Sequence, residues 1–339
     1  MSYREFKLQE FMASVSYHPS DFLDGFATSL RDQQMHTEDE RMRWKDVDLT
    51  VTEGRVMLNG KPVHPYVLWR LGSHLIGVKK NRWEQWLKNP ELLVQALHAV
   101  GPVDAETEMM IRSVYGEVIY CTQMVMDVGH HIDYFQPMLD KFYLSSRQIK
   151  TPVTMVGYMD DPLWTHVKLL YLPKSERTHY AGLQFDVNYM FSRSLRGRAS
   201  LSQFAYDLKW ESTLNLDTWW SIRTVTARNG ASMLPPFTKA ILGNTVPMSR
   251  RMANAMTKMN TIKEKRSRQD WRQQTILDMN GKYVSRSKIR DGIIAFDESS
   301  RKSPLDFAFA LSRELRDLPL ERRMEAERVL ANRLKSTQR

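Results

Sequence analysis

Apolar residues recur at helical spacing near the N-terminus, where Phe22, Leu23, Phe26 and Leu30 predict an amphipathic helix over residues 19–34, preceded by a shorter one over residues 3–13. A charged stretch over residues 36–46 leads into two short alternating runs, residues 47–51 and 56–58, around Thr52-Glu53-Gly54-Arg55, with Asn59-Gly60 closing a predicted β-hairpin. Helices are expected over residues 65–76 and 81–99, the second restarting at Pro90, because proline fits a first turn but not a helix interior. Residues 108–114 and 117–124 read as a second hairpin through Tyr115-Gly116, and residues 131–142 as a helix that Pro137 breaks or kinks.

From Thr151 the pattern turns to strands over residues 153–158, 164–172, 181–187 and 219–227, with Leu183, Phe185 and Val187 alternating against polar neighbours as on a sheet with one buried face. Residues 248–278 predict one long basic helix or arm, residues 281–303 a polar loop or linker, and residues 304–339 two helical pieces around Pro319 whose apolar faces need a partner. The expected fold is therefore α+β: an antiparallel sheet with packed helices, a helical N-terminal arm (1–46), a core domain (47–247), a basic helix and linker (248–303) and a C-terminal helical segment (304–339).

With 42% hydrophobic residues in 339, the chain can bury a sizeable core, and no apolar run approaches the length of roughly 18 residues that a membrane helix requires. The N-terminal residues lack the apolar core of a signal peptide, so a cytoplasmic location is expected, in a bacterial host if the gene is phage-borne. The lone cysteine, Cys121, sits among apolar neighbours and reads as a core residue, and twenty methionines suit an adaptable core or a self-association surface. Charge changes the picture most. Residues 1–150 carry 17 Lys and Arg against 20 Asp and Glu, whereas residues 151–339 carry 32 against 19, so the whole positive excess lies in the second half. An asymmetry of this size points to an anionic partner, most commonly nucleic acid.

Catalytic motifs do not emerge. The Gly54 to Lys61 segment has the wrong glycine spacing for a phosphate-binding loop and places Pro62 where a hydroxyl is needed, and Lys288-Ile289-Arg290-Asp291-Gly292 is one residue too long for the ligase-type lysine motif. Asp127, His130, His131 and Asp133 are the densest set of potential metal ligands, but they fit a polar turn opening a helix better than a metal spacing. No cofactor, no metal and no enzymatic activity are expected; a metal-dependent nuclease using Asp127, His131 and Asp133 is the remote alternative.

The basic residues form two groups. Arg193, Arg196 and Arg198, with Gly197, follow a predicted strand and suit phosphate contacts through guanidinium forks; a solvated surface loop is the bland alternative. Arg250, Arg251, Lys258, Lys263, Lys265, Arg266, Arg268 and Arg272 share 23 residues with only Glu264 and Asp270 as counter-charges, unless this arm docks on the acidic N-terminal surface. Among nearby aromatics, Tyr189, Phe191 and Trp271 are the candidates for stacking on bases, a combination that favours single strands.

Leu71-Gly72-Ser73-His74-Leu75-Ile76-Gly77-Val78, then Asn89-Pro90-Glu91-Leu92-Leu93, then Arg112 to Ile119 as a hairpin, and finally Asn229-Gly230 follow in the order of corresponding segments in a phage and plasmid protein family of unassigned function, found near recombination genes. The chain resembles that family over residues 60–232. It departs where the family's Asn-Ser-Glu falls at Asn188-Tyr189-Met190, and where Ala227-Arg228 replaces its cysteine. The resemblance implies a compact α+β core similar to single-strand annealing proteins, which oligomerise and lay nucleic acid along a basic groove. The expected function is thus non-enzymatic binding of single-stranded DNA or RNA by a homo-oligomer that does not enter membranes. The alternative is a scaffold that self-assembles or docks an acidic protein through its C-terminal extension.

Overall fold

The computed structural model describes residues 4–5, 19–77, 83–101, 105–123, 129–149, 153–171, 179–188, 198–216, 224–226 and 268–336. Strand β1 (Arg4–Glu5) precedes helix α1 (Pro19–Met35), β2 (Thr37–Arg43), β3 (Leu49–Thr52), β4 (Arg55–Leu58), β5 (Lys61–Pro62), α2 (Pro65–Leu75), α3 (Trp83–Leu87), α4 (Pro90–Val100), β6 (Glu108–Val114) and β7 (Glu117–Gln123). Helix α5 (His131–Ile149) leads to β8 (Val153–Asp160), β9 (Trp164–Tyr171), β10 (His179–Asn188), β11 (Arg198–Asp207), β12 (Ser212–Asn215) and β13 (Thr224–Thr226). The helices α6 (Arg268–Met279), α7 (Arg286–Glu298), α8 (Pro304–Arg313) and α9 (Leu320–Ser336) follow. The fold is α+β, as the hydrophobic pattern predicts.

Local chemistry sets many of these boundaries. Proline opens α2, α4 and α8 at a position whose N–H has no intrahelical acceptor. Three hairpins turn on Glu53-Gly54, Asn59-Gly60 and Tyr115-Gly116, with positive φ at both central residues of each, the turn whose twist matches that of the strands it joins.

The N-terminal half pairs β2-β6-β7 and β3-β4-β5 as two small sheets, with α2 and α4 packing over them around Leu58, Leu71, Leu93, Leu97 and Val118. Cys121 belongs to this core, and its burial pushes the thiol up to about 12. The larger antiparallel sheet runs β1-β8-β9-β10-β11-β12, with β13 also paired to β11. Cross-strand partners share a face. One face presents Val167, Leu183 and Phe185, and Phe185 meets Phe135 of α5 edge-on at 4.5 Å; Phe135 in turn meets Phe26 of α1 at 5.3 Å. At the other end of that face, Ala205 and Leu214 join a cluster with Trp271, Phe296, Phe307, Phe309 and Leu330 from α6 to α9. The opposite face carries Lys168, Tyr206 and Thr213, and α9 lies over it, Leu320 and Met324 clustering with Met159 and Trp164.

Several expectations are corrected. Arg4 and Glu5, expected in a helix, are extended and pair with Tyr158 and Gly157, because the β8 edge offers unpaired backbone. The charged stretch after His36 is strand β2, stabilised by bidentate pairing of Arg112 with Asp39 and by Lys61 between Glu38 and Glu40, so residues 1–46 are not a separate arm. Helix α5 runs through Pro137 to Ile149. Residues 281–303, expected as a linker, contain α7: Ser285 caps it and Ile289, Gly292 and Phe296 recur on its buried side. The C-terminal helices dock on the chain's own sheet, so residue 303 bounds no separate segment.

Candidate functional site

Register brings three strand ends together. Asn188 at the end of β10 pairs with Arg198 at the start of β11, and Arg198 pairs on its other side with Thr226 at the end of β13. With strands about 4.8 Å apart, the three residues span about 10 Å of one sheet end. Residues 189–197 begin and end there, and residue 227 leaves from it.

Of the residues singled out in the sequence, Tyr189, Phe191, Arg193, Arg196, Arg250, Arg251, Lys258, Lys263, Lys265 and Arg266 lie outside the described residues. Arg198 opens β11, and Arg268 opens α6. Trp271 is corrected: it is only 7% exposed, stands edge-on to Phe307 at 5.6 Å and donates its indole N–H to the Arg333 carbonyl at 3.2 Å. A base cannot reach it. Arg272 lays its guanidinium over the rings of Phe296 at 4.6 Å and Phe307 at 5.4 Å, with Asp297 at 3.9 Å, so its charge rests on aromatic faces and beside a carboxylate.

The His130 to Asp133 segment does not converge on a common point. Asp133 accepts the His130 N–H at 2.8 Å, as an acidic residue in a first turn does, and the His131 ring bonds to the Thr165 hydroxyl at 2.6 Å. Asp127 lies outside the described residues. Lys288 is ion-paired to Asp317 on the surface.

Two buried polar groupings escaped the sequence reading. Beneath α9, the Thr213 hydroxyl accepts from Lys168 at 2.8 Å and donates to Glu327 at 2.8 Å, while Arg323 donates to Glu327 at 2.9 Å. Lys168, Arg323 and Glu327 are each at most 1% exposed, so the ionic group is sealed between sheet and helix. At the opposite end from Asn188, on the other face, His179, Asp207, Arg301 and Asp306 meet. Burial pushes the Asp207 carboxyl up, but hydrogen bonds from His179, Arg301 and the Trp210 amide outweigh it and hold Asp207 below the usual carboxylate value. The available signal was polar residues alternating on β9 and β10, His166 and Lys168, Gln184 and Asp186; that spacing reads as a solvent face until α9 is seen to cover it.

No helix among the described residues is long and apolar enough to cross a membrane. No protein-family model matches the chain, and neither a curated protein nor a solved structure does.

Proposed function

We propose that the chain is a phage-type, non-catalytic protein that binds single-stranded DNA or RNA largely without sequence preference, as an oligomer, through the segments that meet the sheet end at Asn188, Arg198 and Thr226. The observation that carries the reading is that register: the two stretches flanking this sheet end hold most of the uncompensated positive charge. Residues 189–197 contain Arg193 and Arg196 and no acid, and residues 227–267 contain eight Lys and Arg against Glu264 alone. The helices that follow are closer to balance, with Arg301, Arg323 and Arg333 engaged by Asp207, Glu327 and Asp278. Segments rich in cations without counter-charge nearby in the sequence, joined to strand ends about 10 Å apart, suit a track of phosphates whose condensed counterions are released on binding. The scaffold alternative drew on C-terminal apolar faces in need of a partner; those faces are covered by the chain's own sheet and helices.

Fluorescence anisotropy with matched single-stranded DNA, single-stranded RNA and duplex, across a salt series, tests the reading. Replacing Arg193, Arg196 and Arg198 together by Ala should weaken binding to all sequences alike and reduce the slope of log affinity against log salt by about 2, at roughly 0.7 per phosphate contact on a single strand. A folded triple variant that binds like the wild type removes this loop from the interface, and a wild type that binds no single strand above a weak low-salt background overturns the function.

A further inference from the structure

We propose that His179, Asp207 and Asp306 bind one first-row divalent transition-metal ion, of the manganese-to-zinc series, independently of nucleic acid. The three come from the start of β10, the end of β11 and the first turn of α8, and His179 and Asp207 are register partners. One ligand atom of each lies within 4.8 Å of the other two, and all three residues are buried. Around an ion with bonds of about 2.1 Å, ligand atoms in adjacent octahedral positions stand about 3.0 Å apart. The 3.0 Å between His179 Nε2 and Asp207 Oδ2 meets that spacing.

Each ligand is already oriented by a neighbour, as metal ligands are. Asp207 Oδ1 accepts the Trp210 N–H at 2.8 Å, and the His179 ring stacks on Phe309 at 5.6 Å. Asp306 spends Oδ2 on the Ser303 amide and hydroxyl in a capping box. Its Oδ1, in a residue 4% exposed, turns toward the cluster, where its close contact is the Arg301 guanidinium.

The point addressed by the three ligands holds a positive charge now. Arg301 Nη2 lies 2.7 Å from His179 Nε2, 2.5 Å from Asp207 Oδ2 and 2.5 Å from Asp306 Oδ1. Its protons do not close the inventory, because Nε2 accepts from Arg301 or donates to Asp207 but cannot do both. A metal ion takes the imidazole lone pair and one oxygen from each carboxylate at once. Arg301 is 20% exposed and sits on the segment between α7 and α8, so the guanidinium acts as a place-holding cation that turns to solvent as the ion enters. The mixed nitrogen and oxygen donors favour the transition series over calcium and magnesium, which prefer all-oxygen shells. The bound ion would staple the start of α8 to the sheet.

The test is calorimetric titration of untagged, chelator-stripped full-length protein with Mn2+ and Zn2+, with Mg2+ and Ca2+ as comparators. One Mn2+ or Zn2+ per chain is expected, with binding weakened at least about tenfold in His179→Gln and in Asp306→Asn, and tightened in Arg301→Gln, which removes the competing charge. No saturable binding by the wild type up to millimolar metal overturns the site, as does binding that both ligand variants leave unchanged. Should those variants fail to fold, electron paramagnetic resonance of Cu2+ bound to the wild type decides: coupling to a single nitrogen supports the site, and none or several refutes it.

Discussion

Gly182 sits in the middle of β10 between Leu170 and Phe204, where the chain has no room for a side chain. A Cβ there would lie 2.3 Å from Phe204 Cζ and 2.5 Å from the Leu169 carbonyl oxygen, and the second contact is to backbone that cannot swing aside. Gly182→Ala should therefore destabilise the protein by about 3 kcal/mol, the upper end for overpacking a dense core. The effect should appear as a lowered denaturant midpoint with an unchanged slope; a wild-type midpoint would mean that β9, β10 and β11 do not pack this closely. Residues of this kind were half legible. The alternation of Leu183, Phe185 and Val187 predicts one buried face, and they are buried, but the alternate positions Gly182, Gln184 and Asp186, which the same pattern assigns to solvent, are buried as well. Alternation reports what a residue is, and burial of a polar face depends on which distant element covers it. Trp271 failed the other way: aromatic character beside cations resembles a stacking platform, while the buried Thr275 and Met279, four and eight positions on, place it on the inner side of α6.

At the scale of the element, α5 shows how a single titratable group can govern a helix. Its first residue, His131, is buried against Thr165 of β9, and burial, with the Arg112 and His130 charges, pulls its pKa down to about 3. The unfolded chain takes up a proton near pH 6.5 while the folded one does not, so the contribution of this histidine is fully present above that pH and is lost as the pH falls towards 3. Between pH 7 and pH 5 the loss amounts to about 2 kcal/mol, and His64 and His130, both lowered chiefly by burial, act in the same direction. Denaturant unfolding at the two pH values measures it, and His131→Gln should flatten the dependence. Stability that does not fall between pH 7 and 5 would contradict the buried neutral imidazole. Other elements were legible to the degree that their signal was local. The hairpins at Glu53-Gly54 and Tyr115-Gly116 announced themselves by turn chemistry, and α2, α4 and α8 by proline. Strand β2 carries no such signal, because its partner β6 is far away in the sequence, with Arg112 of β6 pairing with Asp39.

At the scale of the whole molecule, the chain divides by charge but not by packing. The acidic first half and basic second half were visible in composition, yet the basic half's last helices are its structural clasp: α8 lies toward Ala205 and Leu214 on one face of the β12 edge, and α9 covers Thr213 on the other. Removing residues 304–339 would strip Leu214 and Leu216 of their cover and take from Lys168 the counter-charge of Glu327. Taking one partner from a buried ion pair typically costs about 3 to 5 kcal/mol, on the order of half the stability of an ordinary domain, and here a hydrophobic cluster goes with it. The truncated chain should lose the cooperative thermal transition of the full-length protein and aggregate, as calorimetry and light scattering would record. A peripheral C-terminal extension predicts the opposite, a monodisperse product melting at the full-length temperature, and that result would place the core of the second half in the sheet alone.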